Sequence, residues 1–294
     1  MQPVIIEAAL NGERTKALNP SVPKTPDEIV VQALEAIDAG AAVVHTHCDS
    51  IALNGEAAVA SYRRAYDRIL AARPATILSP TVARGDNVEE RFGHYRGLAA
   101  HGIRMASLDP GSVNLAATGP DGFPLNSFVY ATSYTDIAGL NALLAEACLG
   151  PSIAIYEPGW LRTVIAYRKA GRLARGAFVK LYFCDGTNFV DGRPTDFAFG
   201  LPPTEKALDA YLEILEGSGL PWAVAAIGDC VMRTGLARMA IARGGHVRVG
   251  IEDFGGARQP TNLELVREVA ALAAEMGRPI ARPEEAARLL DLPG

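Results

Sequence analysis

Two histidines separated by one residue, His45 and His47, carry the clearest chemical signal in this sequence. They follow the apolar run 41–44, and residues two apart on a strand point the same way, so both imidazoles could converge on one ion. Neutral imidazole suits zinc and other transition metals. The alternative is two unrelated, hydrogen-bonded histidines, but their place at the end of a predicted strand favours a metal.

A third ligand is available near the end of the chain, where Glu252 and Asp253 follow the apolar run 247–251. If this run is the last strand of a closed barrel, it lies beside the first strand and close to the second. Glu252 could then reach the ion held by the two histidines. A site of two histidines and one glutamate keeps a coordination position open, as catalytic zinc sites do.

Arg248 precedes Glu252 by four residues on the same predicted strand face, which places its side chain inside a barrel. Burying an arginine is costly unless it is paired with a carboxylate. Either it supports a carboxylate through a salt bridge, or it holds a substrate carboxylate with two hydrogen bonds.

The elements that must position these residues alternate regularly between strand and helix. Eight apolar runs predict strands, and helical patterns separate most of them. These runs are residues 4–9, 41–45, 75–79, 103–108, 152–156, 178–183, 222–226 and 247–251. A weaker strand is predicted over 127–131, before a helix near 136–148.

This alternation predicts a parallel sheet with right-handed crossovers. No glycine-rich nucleotide-binding motif follows any strand, which removes the usual reason to prefer an open sheet. Eight units favour a (βα)8 TIM barrel formed by a single domain, residues 1–294, with a short C-terminal helical extension that begins at Pro283. In such a barrel the polar residues at the strand ends line one cavity, among them Ser79, Ser107 and Asp109.

Composition restricts the partners and the compartment. The net charge of −5 argues against nucleic acid or an anionic membrane as the main partner. We expect no transmembrane segment and no signal peptide. Four cysteines without a CxxC pair do not resemble a disulfide framework. These features predict a cytoplasmic protein.

Several sequence blocks resemble the β-keto acid cleavage enzyme family. They run almost from end to end, and the block 244–253 is the most specific; the others are 8–12, 23–28, 39–47, 106–114, 156–159 and 222–228. The resemblance implies a TIM barrel with one zinc ion held by His45, His47 and Glu252. It also implies a reaction in which a β-keto acid and acetyl-CoA give acetoacetate and a new acyl-CoA by retro-Claisen cleavage.

The resemblance further implies roles for single residues. Arg248 and Asp253 match the pair that activates the substrate in this family. Ser79 and Ser107 match substrate-holding positions, and Asp109 stands where an Asn or Asp is common. The family is typically homotetrameric, and we expect the same of this chain.

Two departures from the family pattern are informative. Arg14 stands where a characterised specificity places an acidic residue for a substrate ammonium group. We therefore expect a substrate with an uncharged or anionic side chain. Pro80, Thr81 and Val82 replace a glycine-rich run, which keeps open the alternative of a barrel that binds a metal or metabolite without catalysis. Another alternative is a zinc-dependent hydrolase or lyase, with zinc-bound water as the nucleophile.

Overall fold

Eight parallel strands form the centre of the molecule in the computed structural model, which describes residues 2–293. They are Ile6–Ala9 (β1), Val43–Thr46 (β2), Ile77–Pro80 (β3), Met105–Leu108 (β4), Gly150–Ile155 (β7), Phe178–Cys184 (β8), Trp222–Ile227 (β9) and His246–Val249 (β10). Nearly all of their side chains are buried. This burial explains the continuous apolar runs of the sequence, because both faces of each strand are covered.

The strands are ordered β3-β2-β1-β10-β9-β8-β7-β4 by their hydrogen bonds. The first and last members of this order are joined by the hydroxyl of Ser107 on β4, which donates to the carbonyl oxygen of Pro80 on β3 at 3.0 Å. The sheet is therefore a nearly closed TIM barrel, and the predicted fold class is confirmed. The predicted domain range 1–294 includes two residues, 1 and 294, that lie outside the described part of the chain.

The helices alternate with these strands. They are Pro26–Asp38 (α1), Gly55–Ala72 (α2), Val88–Phe92 (α3), His94–Ala99 (α4), Tyr134–Glu146 (α5), Pro158–Lys169 (α6), Glu205–Leu215 (α7), Leu236–Ala242 (α8), Asn262–Glu275 (α9) and Pro283–Leu289 (α10). Capping boxes begin two of these helices: Thr25 with Glu28 at α1, and Thr261 with Glu264 at α9.

The weaker predicted strand lies outside the barrel. It is part of Pro124–Tyr130 (β6), which pairs antiparallel with Val113–Thr118 (β5). The sequence Pro120-Asp121-Gly122 between them has the composition of a turn, which favours a hairpin over a crossover helix. The helix after β9 begins only at Leu236, because Gly235 has a φ of +77° and cannot belong to a right-handed helix.

The C-terminal extension closes the amino-terminal end of the barrel. Alanine and leucine side chains of α10 and the residues after it pack against the first residues of several strands, among them Val43, Ile77 and Phe178. The chemistry is therefore confined to the opposite end, where the strands finish. Among residues 2–293, no helix combines the length and the apolar character that crossing a membrane requires.

Candidate metal and catalytic site

His45, His47 and Glu252 converge at the carboxyl ends of β2 and β10. His45 Nε2 lies 3.4 Å from Glu252 Oε2, and His47 Nε2 lies 3.6 Å from Glu252 Oε1. The three ligand atoms lie within 4.8 Å of one another. This convergence follows from the sheet order, because β1 pairs with both β2 and β10 and so separates them by a single strand.

These separations suit a metal ion. Ligand atoms held at about 2.0–2.2 Å from a tetrahedral ion lie about 3.3–3.6 Å from one another. Glu252 Oε2, which faces His45 Nε2, is also buried without a hydrogen-bond partner in the described part of the chain. Two imidazoles and one carboxylate form a donor set that suits zinc, and they leave room for a fourth ligand.

Glu13 orients the second histidine. Its carboxylate oxygen lies 3.1 Å from His47 Nδ1, which leaves Nε2 facing Glu252. Burial disfavours protonation of His47, but the charge of Glu252 and the hydrogen bonds of both carboxylates outweigh it and raise the pKa of His47 to about 9. This high pKa reflects excess negative charge, which a bound cation would also neutralise. A carboxylate on the outer nitrogen of a ligand histidine is typical of metal sites.

Arg248 is buried below this triad and contacts three carboxylates. Its Nε and Nη2 donate to the two carboxylate oxygens of Asp253, at 2.7 and 3.1 Å. Nη1 donates to Glu7 Oε1 at 2.6 Å, and Nη2 lies 3.0 Å from Glu252 Oε1. The guanidinium also lies 5.5 Å from the ring centre of Tyr182. Of the two readings of Arg248, the structure therefore shows the salt bridge.

Burial and charge act differently on the two adjacent carboxylates. Burial would raise the pKa of Glu252, but His45, Arg248 and His47 hold this pKa well below its ordinary value. Burial raises the pKa of Asp253 above its ordinary value despite the bidentate contact with Arg248. Glu252 is thus kept ionised, as a metal ligand has to be, whereas Asp253 is the better proton acceptor of the pair.

Arg14 lies beside the triad in a pocket that includes Thr187, Phe254 and Arg258. Its Nε donates to the backbone oxygen of Glu252 at 3.0 Å. Its Nη2 is buried and has no hydrogen-bond partner among residues 2–293. The pocket is thus lined by two arginines, Arg14 and Arg258, whose positive charge suits an anion.

The remaining predicted residues lie at the ends of β3 and β4. Ser79 is paired in register with His45, and its hydroxyl has no partner within the described residues. Ser107 already donates to Pro80. Asp109 accepts a 2.5 Å hydrogen bond from the hydroxyl of Tyr130 on the hairpin, and burial raises the pKa of Asp109. Ser79 is thus the more available of the two serines.

Two site residues, Glu13 and Tyr130, and one buried residue of the barrel interior, Lys180, were not predicted from the sequence. Glu13 follows the first strand as the histidines follow the second, and this position was an available signal. Lys180 stands inside the apolar run 178–183, and a lysine in a buried strand is itself a signal. Tyr130 gave no signal, because it reaches the site only through the hairpin.

Comparison with known proteins decides the family. A family model described as beta-keto acid cleavage enzyme matches residues 3–292. The chain belongs to the beta-keto acid cleavage enzyme family. Membership confirms the resemblance predicted from the sequence, and with it the prediction of an enzyme that cleaves a carbon–carbon bond of β-keto acids.

Characterised relatives of the family align along the whole chain. The 3-keto-5-aminohexanoate cleavage enzyme of Fusobacterium nucleatum is 30% identical over 300 residues, which is 99% of each protein. The 3-oxoadipate:acetyl-CoA acetyltransferase of Cupriavidus necator is 29% identical over 99% of this chain and 96% of its own length.

Among solved structures, the apo structure of ObcA superposes with a TM-score of 0.68 at 17% identity. The match covers 94% of this chain and 66% of ObcA. At this identity the match supports the barrel fold alone.

Proposed function

We propose that this beta-keto acid cleavage enzyme family member is a zinc-dependent transferase that exchanges acyl groups between a β-keto acid and acetyl-CoA. The products are acetoacetate and the acyl-CoA of the remaining fragment. The observation that carries the proposal is the convergence of His45, His47 and Glu252 beside the Arg248–Asp253 pair. The acetyl-CoA dependence rests on the relative from Cupriavidus necator, whose name includes this co-substrate.

Asp253 is the residue best placed to accept a proton from the carbon between the two carbonyl groups of the keto acid. Its carboxylate is fixed by two hydrogen bonds from Arg248. The resulting carbanion attacks the thioester carbonyl carbon of acetyl-CoA, and the CoA thiolate leaves. Attack of this thiolate on the original keto carbonyl then breaks the older carbon–carbon bond. The proton returns to the carbon of acetoacetate, so that Asp253 ends the cycle ionised.

His45, His47 and Glu252 would hold the zinc ion. When bound, the ion supplies positive charge that stabilises the negative charge developing on the substrate oxygens. The unpartnered hydroxyl of Ser79 is buried in the same strand layer as His45 and can donate to a substrate oxygen. Asp109, held by Tyr130, would shape the opposite side of the cavity.

Arg14 would select the side chain of the keto acid. Its free, buried Nη2 disfavours an ammonium group and favours a carboxylate. The Cupriavidus relative is named for 3-oxoadipate, a keto acid with a second carboxylate. We therefore expect an anionic or uncharged side chain, with a dicarboxylic β-keto acid as the first substrate to test.

One assay tests the reaction. The purified protein is loaded with zinc and incubated with a panel of β-keto acids, with and without acetyl-CoA, and both acyl-CoA formation and consumption of the keto acid are followed. We expect a new acyl-CoA only when acetyl-CoA is present. Products formed without acetyl-CoA would indicate a hydrolase or lyase, and a zinc-loaded protein inactive on the whole panel would indicate a binding protein.

We also propose a cytoplasmic homotetramer, in accordance with the use of acetyl-CoA and the family resemblance. Exposed apolar side chains on the β5–β6 hairpin, among them Phe123, Leu125 and Phe128, support association through this part of the surface. Light scattering on the purified protein tests the oligomeric state, and the mass of a monomer would contradict it.

A further inference from the structure

A second set of charged side chains lies in the barrel interior, below the proposed site. Glu7 on β1 is completely buried, and Lys180 on β8 is 2% exposed. Lys180 Nζ donates to Glu7 Oε1 at 3.2 Å and to the hydroxyl of Ser152 at 2.6 Å. Buried charges at these positions are costly. None of the three residues has a part in the chemistry described above.

Small residues on β9 make this contact possible. The strand β9 lies between β8 and β10, and Lys180 is in register with Ala223 on it. Ala223 and Ala225 are both buried alanines. Their short side chains leave space across the barrel interior, so that the long lysine side chain can extend from β8 to β1.

Glu7 joins this lysine to Arg248. The same oxygen, Oε1, receives Lys180 Nζ at 3.2 Å and Arg248 Nη1 at 2.6 Å. The opposite edge of the guanidinium holds Asp253 through Nε and Nη2. Because one edge is held by Glu7 and the other by Asp253, the guanidinium cannot rotate without breaking at least one pair.

We propose that Glu7 and Lys180 are positioning residues, whose buried ion pair fixes the guanidinium of Arg248 and, through it, the carboxylates of Asp253 and Glu252. Arg248 faces three carboxylates. Lys180 supplies the second cation, which keeps Glu7 ionised and in contact with Arg248. The proposal deepens the proposed function and rests on it for the role of Asp253, whereas its effect on Glu252 concerns metal binding alone.

Neutral substitutions of similar size test this role. In Glu7→Gln and in Lys180→Met, we expect kcat to fall by about 10- to 100-fold while KM changes less than about threefold, because a small displacement of a catalytic group slows the chemical step. We also expect zinc affinity, measured by competition with a chelator, to fall by about 10-fold, because Glu252 loses a fixed partner.

The double variant Glu7→Gln/Lys180→Met separates positioning from stability. Glu7→Gln leaves Lys180 without a carboxylate, and Lys180→Met removes one of the two cations that contact Glu7. The double change removes both charges and should restore most of the melting temperature. We expect kcat and zinc affinity to remain low in this variant. The proposal is wrong, and the pair is only structural, if kcat and zinc affinity recover to the values of the unchanged protein when the melting temperature recovers.

Arg278→Leu serves as the control for destabilisation. Arg278 is buried and donates to the backbone oxygens of Ile241 and Gly245, far from the carboxyl ends of the strands. Its replacement should lower the melting temperature without changing zinc affinity. If the unchanged protein forms no acyl-CoA, the proposed function fails, and zinc affinity in the double variant still decides between positioning and a purely structural pair.

Discussion

The α-carbon of Gly12 lies directly against the side chain of Glu252. A β-carbon on Gly12 would lie 2.5 Å from Glu252 Cγ, closer than any real contact, and the φ of Gly12 is +51°. Glycine is therefore required here for two reasons, one in the backbone and one in the space that the proposed metal ligand occupies. The loop after β1 thus forms one wall of the proposed metal site.

Gly12→Ala should displace Glu252 and lower zinc affinity by about 10- to 100-fold, as loss of support for a ligand does. Backbone strain should also cost about 1–2 kcal/mol of the free energy of unfolding. Gly55→Ala is the matched control, since Gly55 has a φ of +48° but nothing within 4 Å of the added carbon. Gly55→Ala should therefore lose a similar free energy of unfolding through backbone strain, while its zinc affinity stays that of the unchanged protein. Equal affinities in the two variants would refute the role of Gly12.

Removal of a metal ligand should abolish both metal content and turnover. In Glu252→Gln and His45→Ala, zinc affinity should fall by more than about 100-fold, beyond the effect of losing a supporting residue. Elemental analysis after dialysis measures the metal content, and the acyl-CoA assay measures turnover. Cys48→Ser is the control, because Cys48 follows His47 but its thiol contacts the backbone of Ser50. Full metal content and turnover in Glu252→Gln would show that the site is assigned wrongly.

The barrel and its triad were predictable from sequence for a topological reason. Strand alternation predicts a closed sheet, and closure brings the strand before Glu252 within one strand of His45. The contact of Glu7 with Lys180 was not predictable, because the two residues are 173 positions apart. It depends on side-chain lengths across the barrel interior, and the alanines of β9 that permit it are ordinary strand residues. The order of the strands determines which strands are adjacent. Contacts between side chains on opposite sides of the barrel depend instead on how the interior is packed.

The charge of the side chain at position 14 should determine whether an anionic or a cationic substrate is preferred. In Arg14→Glu, we expect the ratio of kcat/KM for a cationic over an anionic β-keto acid to rise by at least about 100-fold, because a charge pair at 4 Å contributes about 4 kcal/mol near a protein surface. Lys16→Glu is the matched control, since Lys16 lies in the same loop but is half exposed and pairs with Glu28. An unchanged ratio in Arg14→Glu would remove Arg14 from substrate selection.

Acid should destabilise the barrel through His246. This residue is buried at the start of β10, and its Nδ1 accepts a hydrogen bond from the backbone N–H of Ile5 at 3.0 Å. Burial, together with the charge of Arg278, lowers the pKa of His246 to about 3. The unfolded chain binds a proton at this residue near pH 6.5, so between about pH 6.5 and 3 the unfolded state holds more protons and stability falls as the pH falls.

The size of this effect is the change in the free energy of unfolding per pH unit, which can be measured. His246 should contribute about 1.4 kcal/mol of the free energy of unfolding per pH unit in this window. Urea unfolding at pH 6 and pH 5 measures it. His246→Asn keeps a hydrogen-bond acceptor for Ile5 without a titrating group, so its slope should be smaller by about this amount. His101→Asn replaces an exposed histidine and should keep the slope of the unchanged protein. Parallel slopes for His246→Asn and the unchanged protein would show that another group controls acid stability.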